Sequence, residues 1–354
     1  MNDNLSGSRP LGVALIGLGM VAKAHARALQ DLQPSLKVCG VYARSEDSRK
    51  KFLNEYSFND TPKAYETLAQ IAADDAVDMV IIITPPNARL EIIREMANAG
   101  KHILTEKPIE RTTKAATEIV EICQNNNVKL GVVFQYRMRA GAKELARLIR
   151  TGQFGQLGAV EINIPWWRDQ SYYDEPGRGT YSRDGGGVLI SQAIHTLDLA
   201  LSLAGPVDYV QSVAATSKLH KMESEDFVAA GLKFKNGAVG SLTASTVNFP
   251  GSVENIHLHF EYASAVFQGE ALTVHWRDGR VETVGEPADT GGGADPMAFP
   301  HDWHRDLIAD FAEAILNDKD PCVSGKVGLR VHRLIDALVV SSREQRAVHL
   351  DDDE

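Results

Sequence analysis

The sequence predicts two domains of different class: a doubly wound α/β domain with a parallel sheet, then an α+β domain with a large, mostly antiparallel open sheet. Three observations carry this. Short apolar runs alternate with helical segments through the first part of the chain, the signature of a parallel sheet covered on both faces. A glycine-bearing turn, Gly17-Leu18-Gly19-Met20-Val21-Ala22, follows the first apolar run and opens a helix. Beyond residue 155 strand candidates follow one another closely, with Asn236-Gly237 and Asp278-Gly279 as hairpin turns.

In order, Leu11 to Ile16 reads as a strand, followed after the glycine turn by a helix to about Leu32. Leu36 to Tyr42 reads as a strand, Glu46 to Tyr56 as a charged helix, and Tyr65 to Ala73 as another helix. Val77 to Ile83 is rich in β-branched residues and continuously apolar, as suits a strand buried on both faces. Asn87 to Ala99 is helical with Gly100 as its cap. His102 to Leu104 and Lys129 to Phe134 read as strands around a helix from Thr112 to Asn125. Met138 to Thr151 is a helix leaving this domain.

The second half offers strands at Leu157–Trp166, Tyr209–Ala215, Phe227–Phe234, Ala238–Thr246, Val253–Phe260, Ser264–Gln268 and Leu272–Trp276. One helix, from about Val188 to Leu203, interrupts early. Glu286 to Pro300 is rich in Gly, Pro and Asp and reads as a loop, and helices are expected at Trp303–Asn317 and Lys326–Gln345. The expected organisation is a disordered tail at 1–10 and a dinucleotide-binding domain at 11–135. A substrate and oligomerisation domain follows at 136–325, with a C-terminal helix and tail at 326–354 packing back across the domains.

A chain of 354 residues suits two domains. Its 47 acidic against 37 basic side chains give a net charge of −10, which disfavours a nucleic-acid partner. Cys39, Cys123 and Cys322 are far apart and odd in number, so neither a disulfide framework nor a zinc cluster is expected. The polar start carries no signal-like apolar core, and no membrane span is expected, so a cytoplasmic protein is the expectation.

The glycine turn has the form expected of a dinucleotide site in a Rossmann domain. Gly17 permits the tight turn, Gly19 lets the main chain approach a pyrophosphate, and Ala22 allows close helix packing. Gly17, Gly19, Met20 and Val21 are therefore assigned to the cofactor, with the helix N-terminus holding the phosphates. At the end of the second strand, Ala43 stands where a ribose-binding carboxylate belongs. Arg44 and Ser45 suit a 2′-phosphate instead, which favours NADP over NAD. Glu46 and Asp47 open the next helix.

Together with that turn, Thr84-Pro85-Pro86-Asn87, Glu106-Lys107-Pro108 and Gly185-Gly186-Gly187-Val188-Leu189 leading to His195 resemble the Gfo/Idh/MocA oxidoreductases, the family of glucose–fructose oxidoreductase and inositol dehydrogenase. The resemblance covers almost the whole chain. It implies a nicotinamide-dependent dehydrogenase or reductase acting on CH–OH groups of a sugar, sugar acid, cyclitol or nucleotide sugar. It places Thr84, Pro85, Asn87, Glu106 and Lys107 at the cofactor and makes Lys107 and His195 the catalytic pair. Read alone, Lys107 would be a solvated lysine and His195 a core histidine. In the family's context the imidazole takes a proton near neutral pH and the ammonium stabilises charge on the substrate oxygen.

One position departs from inositol dehydrogenase-like members, which carry Asp four residues before the histidine. Here Ser191 stands there, followed by Gln192. The stretch Trp167-Arg168, Tyr172-Tyr173 and Arg178-Gly179-Thr180 is similar to the branch that includes UDP-N-acetylglucosaminuronate 3-dehydrogenases. Arg168 and Arg178 suit a substrate carboxylate or phosphate, or order a surface loop before the helix. Gln135, Arg137, Trp167, Gln192 and His195 complete the candidate substrate set. Trp166 and Trp167 alternate faces, so at most one lines the pocket.

No metal site is expected. His257 with His259, and His301 with His304, share faces but lack an acidic or cysteine partner at ligand spacing in the sequence. An apolar open sheet face would bury itself against a second copy, as a homodimer or homotetramer. The alternative function is a non-catalytic dinucleotide-binding sensor of the same fold, which the missing carboxylate at Ser191 favours.

Overall fold

The computed structural model describes residues 9–286 and 300–350, which divide into two units. Residues 9–110, 114–133 and 300–327 form the first, and residues 111–113, 134–286 and 328–350 the second. The first unit therefore takes in a segment that the sequence reading assigned to the substrate domain. The helix Asp302–Leu316 packs on the helix Ala22–Asp31, and Phe311 meets Gly131 so closely that a Cβ there would lie 2.7 Å from its ring.

The sheet of the first unit is wholly parallel. Its strands are β1 (Leu11–Ile16), β2 (Leu36–Tyr42), β3 (Lys63–Tyr65), β4 (Met79–Ile82), β5 (His102–Glu106) and β6 (Leu130–Val133). Their order is β3-β2-β1-β4-β5-β6, so the chain reverses its direction of winding between β1 and β4. Ligands of such sheets bind outside the carboxyl ends of the strands at that reversal. Every residue of β1 and β4 is buried, as their continuous apolar runs require.

Two readings in this unit need correction. The helix expected over Tyr65–Ala73 begins only at Leu68, because Tyr65 is already committed to β3 and Thr67 caps the helix reciprocally with Gln70. The expected tail at 1–10 does not extend to Arg9, whose guanidinium pairs twice with Asp78 at 2.9 and 2.7 Å. Residues 1–8, most of the expected Glu286–Pro300 loop and the last four residues lie outside the described residues.

The second unit holds a nine-stranded sheet built from β7 (Leu157–Pro165), β8 (Val207–Ala215), β9 (Phe227–Phe234), β10 (Val239–Ser245), β11 (Asn255–Phe260), β12 (Ala263–Gln268), β13 (Ala271–Trp276), β14 (Val281–Val284) and β15 (Val348–His349). The order is β14-β13-β12-β11-β7-β10-β9-β8-β15, antiparallel except where β7 and β10 run parallel. Alternation defines its two faces. In β11, Ile256, Leu258 and Phe260 are buried while Asn255, His257 and His259 are half-buried. The helices Ala140–Arg150 and Ile194–Ala204 pack on this sheet. The helix Gly325–Glu344 reaches β8, where Ser341 and Ser342 accept the backbone N–H groups of Ser212 and Ala214.

Candidate active site

In the first unit four sequence-predicted segments meet at one edge of the sheet. The glycine turn follows β1, Arg44 follows β2, Thr84 follows β4, and Glu106-Lys107 ends β5. Because the strands are parallel, these are all carboxyl ends. Gly17 has φ +93°, and a Cβ there would lie 2.8 Å from Thr84 N, so only glycine fits the crossing of the two turns. A Cβ on Gly19 would meet nothing within 4 Å. The helix Ala22–Asp31 has neither a side-chain cap nor an acidic residue in its first turn. Its positive end and open main chain suit a pyrophosphate. The cradle thus fits a dinucleotide.

Around it, Met20, Arg44, Ser45, Pro85 and Asn87 are exposed. Ser45 caps the helix Glu46–Glu55, accepting the N–H of Ser48 at 3.3 Å. Thr84 is half-buried and its carbonyl accepts two bonds from Arg89. Lys107 is half-buried, whereas Glu106 is buried and turns its carboxylate inward to His25, with Nε2 to Oε1 at 2.8 Å. Burial alone would raise the Glu106 carboxyl, but His25 and His304 outweigh it and hold the group well below the usual carboxylate range.

In the second unit His195 opens the helix Ile194–Ala204 and is buried. Its ring stacks on Tyr136 at 4.8 Å between centroids and meets Phe134 edge-on at 5.9 Å. The residues before it, Leu189–Ala193, form a π-helical turn, a feature that recurs at functional sites. The single helix expected from about Val188 to Leu203 is therefore π-helical where it carries Ser191 and α-helical where it carries His195. Glu225 fixes the turn's start: its buried carboxylate accepts the N–H groups of Gly187 and Leu189 at 3.2 and 3.1 Å. A Cβ on Gly187 would overlap the Glu225 carbonyl oxygen at 1.8 Å, which explains the third glycine.

The other predicted substrate residues separate into two groups. Arg168 is buried, with its guanidinium 5.5 Å from the Tyr172 ring and 5.6 Å from that of Trp166, and its Nε has no hydrogen-bond partner among the described residues. Gln192 bonds the Tyr172 hydroxyl at 3.4 Å, while its buried Oε1 and that of Gln135 have no partner among the described residues. Among the described residues these are buried polar atoms left for another partner. Arg137, in contrast, is engaged by buried Asp198 in a two-point pair at 2.7 and 2.6 Å. Arg178 pairs with Glu175 at 3.3 Å and lies over the Tyr172 ring. Trp166 is buried and bonds Glu254, while Trp167 is half-buried against Phe249.

Sequence reasoning missed Arg89, Glu225 and the pair His220–Asp226, whose imidazole bonds Asp226 and the Arg168 carbonyl, both at 2.9 Å. It also missed acidic partners for the histidines. Glu106 lies with His25 and His304, and Glu161 with His257 and His259, with potential ligand atoms within 4.8 Å of one another in each group. Both sets are assembled by tertiary structure from distant segments, so spacing along the chain could not reveal them. Among the described residues no helix is long and apolar enough to cross a membrane.

Comparison with known proteins agrees with this geometry. The model of an oxidoreductase family with an NAD-binding Rossmann fold matches residues 11–134, and that of the GFO/IDH/MocA C-terminal domain matches residues 142–285. The chain is 26% identical to the myo-inositol 2-dehydrogenase of Thermotoga maritima, over 96% of this chain and 98% of that protein. A WlbA dehydrogenase of Chromobacterium violaceum, solved with NADH and UDP-GlcNAcA, superposes with a TM-score of 0.83 at 27% identity, covering 98% of each chain. Levoglucosan dehydrogenase, solved with NADH and levoglucosan, gives a TM-score of 0.83 at 26% identity, over 97% of this chain and 100% of that one. With both of its domain models matched and the dinucleotide cradle in place, the chain belongs to the Gfo/Idh/MocA oxidoreductases, enzymes with an NAD-binding Rossmann fold.

Proposed function

We propose that this enzyme interconverts a secondary alcohol and a ketone on a sugar, sugar acid, cyclitol or nucleotide sugar, with NADP favoured over NAD. The observation that carries the reading is the convergence of the glycine cradle, Arg44, Thr84 and Lys107 on one sheet edge. When bound, the nicotinamide supplies or accepts the hydride. Lys107 donates a hydrogen bond to the reacting oxygen and stabilises its developing charge, and His195 takes the hydroxyl proton during oxidation and returns it during reduction. Gly19 and the first turn of the following helix hold the pyrophosphate, and exposed Arg44 holds the 2′-phosphate.

The proposed substrate class is supported by buried polar side chains of the second unit and by what relatives bind. The Arg168 guanidinium, framed by Trp166 and Tyr172, and the unpartnered oxygens of Gln192 and Gln135 suit an oxygen-rich ligand that carries an acid group. The partner in this reading is a second copy of this chain, as a homodimer or homotetramer, which the partly exposed face of the nine-stranded sheet supports. The proposed location is the cytoplasm, a reading supported by three free thiols, two of them buried.

The test is reduction of NADP+ and NAD+ at neutral pH by a panel of myo-inositol, levoglucosan and UDP-GlcNAcA. One class should turn over, and Lys107→Ala and His195→Ala should abolish it. Undiminished turnover in Lys107→Ala would refute the assignment. A second reading, a dinucleotide sensor without catalysis, rests on Ser191 at the position of a carboxylate. Tight NADPH binding with no turnover across the panel would favour it.

A further inference from the structure

The segment that carries Lys107 is gripped by buried polar side chains that neither a strand end nor a turn requires. Glu106 closes β5 and sends its carboxylate into the first unit, against His25 from the helix that follows the glycine turn. His304, from the helix Asp302–Leu316, brings its Nε2 to 3.7 Å from the same oxygen, and the two imidazoles meet edge to face at 4.9 Å. The other carboxylate oxygen, Oε2, accepts the backbone N–H of Lys107 at 3.2 Å.

A second grip comes from Arg89, which is 3% exposed. Its guanidinium donates to the carbonyl oxygens of Glu106 and Pro108, on either side of Lys107, and to that of Thr84 at 2.9 and 2.7 Å. Burying ionisable side chains is costly unless each is well bonded, and apolar residues of similar volume would hold a strand end at least as well. What the polar arrangement adds is direction. Its bonds end on the main chain of residues 84 and 106–108, and so fix the path by which the chain leaves β5 and passes the Thr84 turn.

We infer that Arg89 and the His25–Glu106–His304 cluster are positioning residues for Lys107, setting the height and heading of its ammonium without touching substrate. The inference rests on Lys107 being the reacting amine. It makes the strand-end loop and the pyrophosphate-binding helix one mechanical piece, since His25 stands on that helix. The 2.8 Å separation of His25 Nε2 and Glu106 Oε1 is a hydrogen-bond length.

The experiment compares His25→Leu with His25→Gln in the full chain. Leucine fills the space without a donor, whereas the glutamine amide can still reach Glu106. Two readouts are taken: hydrogen exchange of the Lys107 amide in the absence of substrate, and kcat and KM in turnover. His25→Leu should speed that exchange about tenfold or more and lower kcat about a hundredfold, the scale of a 1 Å misplacement, with cofactor KM nearly unchanged. His25→Gln should restore most of both. If His25→Leu does not fold, Arg89→Met should show the same pattern, with faster exchange also at the Thr84 turn. Faster exchange with wild-type kcat, or stoichiometric zinc in the purified protein, would overturn the inference. Failure of the underlying reading looks different: Lys107→Ala would keep wild-type turnover while the exchange result stood.

Discussion

Exchanging the two glycines of the first turn for alanine should separate folding from cofactor binding. At Gly17 the φ of +93° is unfavourable for any residue with a side chain, and the new Cβ would lie 2.8 Å from Thr84 N and 3.0 Å from Ile83 C. The conformational strain is worth about 1–3 kcal/mol. Both nearest atoms are main chain of the segment leaving buried β4, so relief needs a backbone shift, which adds about 1–3 kcal/mol. Gly17→Ala should therefore lose about 2–6 kcal/mol of stability, a large part of what a domain usually has. At Gly19 the same methyl meets nothing within 4 Å, and stability should hold to within about 0.5 kcal/mol. Its cost should fall on the pyrophosphate, which needs that space, with NADPH affinity dropping about tenfold or more, or about 1.4 kcal/mol. Denaturant unfolding and calorimetric titration of each variant give both numbers. A stable Gly17→Ala, or a Gly19→Ala that binds NADPH like the wild type, would refute the placement of the cradle.

Two further perturbations test other parts of the account. Arg44→Glu should weaken NADPH binding about tenfold or more while leaving NADH nearly unchanged, because the lost charge-assisted bond and the new repulsion act on the 2′-phosphate alone; equal losses for both cofactors would show that Arg44 does not read that phosphate. Hydrogen bonds from Lys63 and Tyr65 hold the Asp74 carboxyl down at about 2. A folded value below the unfolded one, near 3.9, gives stability that is complete above about pH 4 and lost as the pH falls through about 2. Asp74→Asn should flatten that part of the acid unfolding curve, and an unchanged acid limb would show that the pairing does not act on folding.

How much was legible depended on range. β2 at Leu36–Tyr42 and β9 at Phe227–Phe234 follow the boundaries read from the chain, because apolar runs and flanking turn residues are local signals. β3, β14 and β15 were missed: they are two to four residues long, lie at or beside sheet edges, and bury little. The glycine turn was legible because strand, turn and helix start lie within a dozen residues. Glu106 was assigned to the cofactor by its motif, yet its carboxylate faces His25, 81 residues earlier, and no local pattern encodes that partner. One helix was expected from about Val188 to Leu203, but its start at Leu189–Ala193 is a π-helical turn, which alters the phase between Ser191 and His195. Arg89 reads as an ordinary helix-start cation until Glu106, Pro108 and Thr84 fold around it.

The most direct test of the central claim is a crystal structure of the protein soaked with NADPH. The account predicts the pyrophosphate against the main chain of Gly17–Val21 at the start of the helix Ala22–Asp31, the 2′-phosphate on Arg44, and the nicotinamide ring beside Lys107. A dinucleotide bound elsewhere, or a nicotinamide remote from Lys107, would contradict it.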